Sequence, residues 1–227
     1  MNSEDGGSMS ASDGGLPRWA TPFRVVVLVL VAGFWGYYIG RHPFSARGGW
    51  RYLTNWGLTL NLMVALFAVA GIYLPKFRYR NPLLPTALTI SSLVVVLYWT
   101  LWAIDPALVT GSYPLPWYSD LYLHLGTTLG VYVEAFMLHR APARVGRPLA
   151  SVVGVGLVYI VWIEFVVSVS NTKPCGLVES VCGYPYPFLN DLNGMERCGF
   201  YGAGGAVVLL LSVGIMKGWK RVQERMS

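Results

Sequence analysis

Six long apolar runs divide this chain, at residues 23–40, 52–74, 83–104, 117–138, 149–170 and 198–216. Each is close to the roughly 17–25 residues that a helix needs to cross the hydrocarbon of a bilayer. In hydrocarbon a backbone must satisfy its own hydrogen bonds, so runs of this length are read as helices. The expected fold is therefore all-α: a polytopic membrane protein, a bundle of six transmembrane helices. Pro75, Pro82, Pro106, Pro114, Pro116, Pro142 and Pro148 fall between the runs and Pro85 at the start of the third, where helix punctuation belongs.

Composition agrees with the class. Apolar residues make up 54% of the 227 and charged residues only 12%, about half the usual charged share. The net charge of +6 is carried in short loops between apolar runs, which favours anionic lipid headgroups over nucleic acid. Residues 1–17 are rich in Ser, Gly and Asp without apolar periodicity, and are expected to be a disordered tail. A six-helix domain is expected over 18–221 and a short basic tail over 222–227. The first run lacks a small-residue cleavage site and is expected to be a retained helix rather than a signal peptide.

Counting Lys and Arg sets the expected orientation. Arg18, Arg24, Lys76, Arg78, Arg80, Arg140, Arg144, Arg147, Lys217, Lys220, Arg221 and Arg225 fall on the side of the N-terminus, which makes twelve. Arg41, Arg47, Arg51, Lys173 and Arg197 fall on the other, which makes five. This bias predicts that both termini are cytoplasmic. The plasma membrane, a bacterial inner membrane and the endoplasmic reticulum all fit it. Cys175 and Cys182 then lie in the fifth, non-cytoplasmic loop, where a disulfide between them is expected, with Cys198 as the alternative partner. No His lies near them, so metal ligation is disfavoured.

Depth comparison singles out a site. At about 1.5 Å per residue, Thr54 sits roughly 5 Å inside the aromatic collar of Trp50, Tyr52 and Trp56, and His124 and Glu164 sit roughly 10 Å in from the same side. Thr54, Gly57, Leu58 and Asn61 share one face of helix two; Asp120, His124, Thr127 and Thr128 share one face of helix four. A threonine hydroxyl becomes nucleophilic once a base removes its proton. Thr54 with His124, and a carboxylate from Asp120 or Glu164 behind the imidazole, meet the requirements of acyl transfer. Asn55, Asn61 and Tyr122 are the candidate oxyanion donors. Bland readings stand beside this one. A threonine near a helix start usually caps or back-bonds, a membrane histidine often only bridges helices, and Glu134 would pair with Arg140 or Arg144 by snorkelling. His42 and His139 read as interfacial. Neither a metal nor an organic cofactor is expected, because ligand spacing and a Gly-rich phosphate loop are both missing from the sequence.

At Trp50-Arg51-Tyr52-Leu53-Thr54, at His124 with Glu134 ten residues on, and at Tyr186-Pro187-Phe188-Leu189 before the last helix, the chain resembles a known family. This is the androgen-induced-gene and androgen-dependent TFPI-regulating protein family, and the likeness extends over about residues 48–215. The resemblance implies a multi-helix membrane hydrolase of fatty acid esters of hydroxy fatty acids, with Thr54 as nucleophile and His124 as base. The segment 52–57 is also similar to the rolling-stone group, a related family linked to cell fusion, and the segment 184–189 to a bacterial membrane family of the same build. Where the hydrolases carry histidines near the outer end of helix five, this chain has Val167-Ser168-Val169-Ser170, and its longer fifth loop holds the cysteine pair. Both departures surround the expected site mouth and bear on the substrate rather than the chemistry.

The sequence thus predicts a hydrolase of lipid esters whose substrate enters from the bilayer. The alternative is a non-catalytic membrane interaction protein with its loops as the contact surface. A lipid or proton carrier using Glu164 and His124 as a relay is disfavoured by the lack of an inverted repeat or an interrupted helix pair. Oligomeric state is not legible.

Overall fold

A computed structural model describes residues 16–40, 49–74, 81–110, 115–142, 145–170, 183–186 and 188–226. Six of its helices are long and apolar enough to cross a membrane. They are α1 (Ala20–Gly40), α2 (Leu53–Tyr73), α3 (Leu84–Ile104), α4 (Trp117–Leu138), α5 (Gly146–Ser170) and α6 (Gly194–Met226). The described residues contain no strand. The chain is an integral, multi-pass membrane protein. The last helix begins four residues before the sixth apolar run and continues to Met226, so the basic residues after 216 are helical. Residues 1–15 of the tail expected over 1–17, and the expected pair Cys175 and Cys182, lie outside the described residues; Cys198 is an exposed free thiol on α6.

The sequence dictates these helix starts. Pro116 precedes α4, and Pro85 occupies the first turn of α3, where a missing N–H costs nothing. Before α2, Tyr52 is extended (φ −96°, ψ 132°), which turns the chain sharply into the helix. Large apolar side chains such as Val26, Val29, Phe165 and Leu210 are exposed, as suits a bundle whose solvent is lipid.

The bundle is built around α3, which packs against α2, α4, α5 and α6. Its first half is buried and rich in small residues: Thr86, Ala87, Thr89, Ser91 and Ser92. Small side chains let helices approach closely, and hydroxyls link them in a medium without water. Four α3 hydroxyls each meet a different neighbour. Ser91 donates to Asn61 of α2 (3.1 Å), Ser92 bonds Tyr132 of α4 (3.0 Å), Thr86 donates to Ser151 of α5 (3.0 Å), and Ser212 of α6 donates to Thr89 (3.3 Å). Asn61 and Thr128 belong to this seam, since Thr128 also donates to the Ser91 carbonyl (3.4 Å). Apolar clusters fill the spaces between: Ile90, Val94, Val152 and Ile163 towards the collar end, Leu84, Leu88, Val131 and Trp219 towards the other.

The outermost helix, α1, is held at both ends. Near the collar, Trp35 Nε1 donates to Thr59 Oγ1 of α2 (3.0 Å). At the far end Arg24, fully enclosed, donates through Nε to Glu134 Oε1 of α4 (2.9 Å), with Nη2 at 2.7 Å from the same oxygen. His139 Nδ1 reaches that carboxylate as well (3.1 Å), and its carbonyl accepts bonds from Trp219 and Gln223 of α6. This corrects two expectations. Glu134 is buried inside the bundle and pairs there with Arg24 rather than snorkelling outwards, Arg144 lying outside the described residues, and His139 is buried rather than interfacial, because a carboxylate facing the bundle finds its partners there more cheaply than at the surface.

Removing one member of this cluster strands a buried charge. Glu134→Leu is expected to cost on the order of 3–5 kcal/mol, and adding Arg24→Met to return most of that loss, as read by thermal unfolding of the purified protein in detergent. A double variant as unstable as the single one contradicts this account.

Candidate functional site

Between α2, α3, α4, α5 and α6, under Pro185, Tyr186, Phe188 and Leu189, lies a cavity of about 930 Å³. Its walls are mainly apolar, with Leu93, Leu97, Ile160 and Leu209 among them. A large, greasy chamber with a few convergent polar groups is the usual form of a lipid-sized ligand site. The polar groups here include Thr54, Asn55, Tyr98 and His124.

The collar that presents Thr54 is bolted down by side chains. Asn55 Nδ2 donates to the Gly49 carbonyl (2.8 Å) and Trp56 Nε1 to the Trp50 carbonyl (2.7 Å). Tyr159 of α5 donates to the Arg51 carbonyl (3.0 Å). Tyr186 OH accepts the Leu53 N–H (3.3 Å); desolvation of that hydroxyl pushes its pKa up to about 12, so it stays neutral. Glycine is required at 49, because a Cβ there would meet the Tyr38 carbonyl at 2.8 Å.

Hydroxyls in this bundle commonly bond the carbonyl one turn back: Thr59 donates to Asn55, Thr89 to Pro85, Ser92 to Leu88 and Thr127 to Leu123. Thr54 does not. The carbonyl one turn behind it, on Trp50, accepts from the Trp56 indole, and Thr54 Oγ1 instead lies 3.3 Å from His124 Nε2. On the far side of the ring, Nδ1 faces two oxygens of Asp120, the carbonyl at 3.0 Å and Oδ1 at 3.0 Å. Two acceptors and no donor require the proton on Nδ1. Nε2 then presents its lone pair to the threonine hydroxyl.

A fourth residue completes the group. Tyr98 of α3 stacks on the imidazole, with centroids 3.5 Å apart and planes within 7°, and its hydroxyl donates to Asp120 Oδ2 at 2.5 Å. Sequence reading missed Tyr98. The available signal was a phenol near the collar end of the third run, and only the rotation of α3 against α4 turns it onto the ring. His124 also lies in a π-helical segment, Tyr122–Gly126, a widening of the helix often found at functional positions.

Of the expected site residues that are described, the structure brings Thr54, His124 and Asp120 together and leaves Glu164, Asn61 and Thr128 elsewhere. Glu164 accepts from Tyr201 (2.7 Å), Tyr184 (2.7 Å) and Arg197 (3.2 Å) near the cavity mouth. Asn61 and Thr128 lie in the α3 seam. Of the candidate oxyanion donors, Asn55 lines the cavity with its amide committed to Gly49, Asn61 borders a separate small space with Arg24 and Glu134, and Tyr122 packs against Phe34 with ring centroids 4.2 Å apart.

A family model described as FAR-17a/AIG1-like protein matches residues 19–217. No curated protein and no solved structure matches the chain.

The tautomer is directly measurable. Histidine-labelled protein at mildly alkaline pH is expected to show, by ¹⁵N NMR, protonated Nδ1 and unprotonated Nε2 for His124, and Asp120→Ala to shift the ring towards a mixture. An Nε2–H ring in the unmodified protein would reverse the polarity argued here.

Proposed function

The chain belongs to the FAR-17a/AIG1-like family, and on that premise we propose that it is a membrane-embedded hydrolase of lipid esters, with Thr54 as nucleophile and His124 as base. The observation that carries this reading is the 3.3 Å contact between the Thr54 hydroxyl and His124 Nε2 on the wall of a lipid-sized cavity.

In the proposed cycle the ester carbonyl rests against Thr54. Oγ1 attacks the carbonyl carbon while its proton passes to His124 Nε2, giving a tetrahedral oxyanion and an imidazolium. The intermediate collapses, the C–O bond to the leaving alcohol breaks, and the Nε2 proton goes to that alkoxide. Water then attacks the acyl-threonine carbonyl, giving a proton to Nε2. Collapse frees the carboxylic acid and returns that proton to Oγ1. Throughout, Asp120 accepts the Nδ1–H and compensates the imidazolium, and Tyr98 holds both the ring, by stacking, and the carboxylate, by its hydroxyl.

The charge bias of the loops supports an orientation with both termini cytoplasmic, which puts this chamber in the outer or lumenal leaflet. An acyl chain would then reach it laterally from the bilayer.

Hydrolysis of a long-chain ester by the purified protein tests the reading. Thr54→Ala and His124→Ala are each expected to remove turnover, Thr54→Ser to retain part of it, and Asp120→Asn to lower kcat by about 10²–10⁴-fold, as wrong-tautomer variants of such triads do. Undiminished turnover in Thr54→Ala would exclude the proposal.

A further inference from the structure

We propose that a long acyl chain enters and leaves the chamber through a window between α5 and α6, framed by Val153, Gly156 and Leu157 on one helix and Gly202, Gly205 and Leu209 on the other. The fate of an ester once inside rests on the hydrolase reading above; the passage of the chain does not.

Exposure along the chamber wall locates the opening. A residue that lines a cavity and is also exposed stands at one of its mouths. Among the described lining residues these are Val153 and Leu157 of α5, Gly202, Gly205, Ala206 and Leu209 of α6, and Leu115. Spacings of three and four residues put each helix's set on one face. Exposed side chains beside them, Val158, Val161 and Leu210, are apolar, so this mouth faces hydrocarbon rather than water.

Polar ties bound the window at both ends. At the collar end Glu164 of α5 accepts from Tyr201 (2.7 Å) and Arg197 (3.2 Å) of α6. Towards the other end α3 holds both helices, through Thr86 on Ser151 of α5 and Ser212 of α6 on Thr89. No hydrogen bond joins α5 to α6 between these ties among the described residues. One and two helical turns inward from the Glu164 tie lie Ile160 and Leu157 on α5, Gly205 and Leu209 on α6. That is the stretch where the chamber wall is exposed. Tyr159, beside Ile160, donates to the Arg51 carbonyl, so the window opens at the level of the collar that presents Thr54.

Packing does not account for the glycines. Glycine weakens a helix interior relative to alanine, and membrane helices usually recover that loss by close approach to a neighbour. Gly57 does so, since a Cβ there would touch Ile90 of α3 at 3.8 Å. A Cβ at Gly156, Gly202, Gly204 or Gly205 would meet nothing within 4 Å. The room they leave borders an apolar chamber on one side and the bilayer on the other, and the occupant that suits both is a hydrocarbon chain sliding in sideways.

The test reads rates rather than turnover. Full-length Thr54→Ala protein in detergent is mixed by stopped flow with a fluorescent long-chain methyl ester, and association and dissociation are measured separately. Narrowing a passage slows both directions alike, whereas losing a contact inside a site acts mainly on dissociation. Gly205→Trp is expected to lower both rates roughly tenfold or more while Kd stays within about twofold. Leu157→Ala, which removes bulk from an exposed side chain, is expected to raise both. Gly214→Trp, on α6 outside the window and equally free of neighbours, should change neither. Unchanged rates in Gly205→Trp, faster dissociation at an unchanged association rate, or equal slowing in Gly214→Trp each overturn the proposal. Should Gly205→Trp not fold, Leu157→Ala decides alone, and unchanged rates there overturn it. Symmetric slowing in a protein that hydrolyses no ester keeps the window and removes the hydrolase reading. Hydrolysis with binding rates indifferent to both substitutions does the reverse.

Discussion

Hydrocarbon offers no hydrogen bonds, so a polar group inside this bundle must be satisfied by protein or by something the protein holds. That constraint sorts the interior. The hydroxyls of α3 are matched one by one to α2, α4, α5 and α6. The carboxylates Glu134 and Glu164 are enclosed by arginines, a histidine and tyrosines. Both sets explain how the helices are held. Two groups that border the large chamber stand apart from these sets: a threonine hydroxyl whose partner is a histidine nitrogen rather than its own helix, and an arginine edge with no acceptor among the described residues.

The rigidity around that chamber follows from the same constraint. Tyr98 reaches Asp120 because α3 sits at the centre of the bundle, and Asp120 reaches His124 because the two are one turn apart on α4. The Glu164 cluster ties Tyr184, just before the segment over the cavity, to α5 and α6, with Arg197 stacked 4.6 Å from the Tyr184 ring. Three π-helical segments carry His124, Glu134 and Glu164, one each. Each widens a helix at an ionisable residue that makes contacts with other helices or with its own backbone.

Much of this was legible in the chain. Run length and proline placement fix six helices, because a bilayer imposes one length on all of them. The pairing of Thr54 with His124 could be read from depth, since both helices start from the same interface and rise equally per residue. Rotation is another matter. Glu134 looked closest to Arg140 along the chain, yet it finds Arg24, 110 positions away, because α1 and α4 face each other there. Tyr98 is one aromatic among many until α3 turns it onto the imidazole. Arg51 reads as part of an interfacial collar, yet in the structure it is buried, with Tyr159 of α5 on its carbonyl.

The most direct measurement is the site of covalent capture. Peptide mapping by mass spectrometry after treatment with a fluorophosphonate should find the adduct on Thr54, and none when His124 is replaced by Ala in protein that remains folded. An adduct on another hydroxyl, or on Thr54 to the same extent without His124, would contradict a threonine activated by that imidazole.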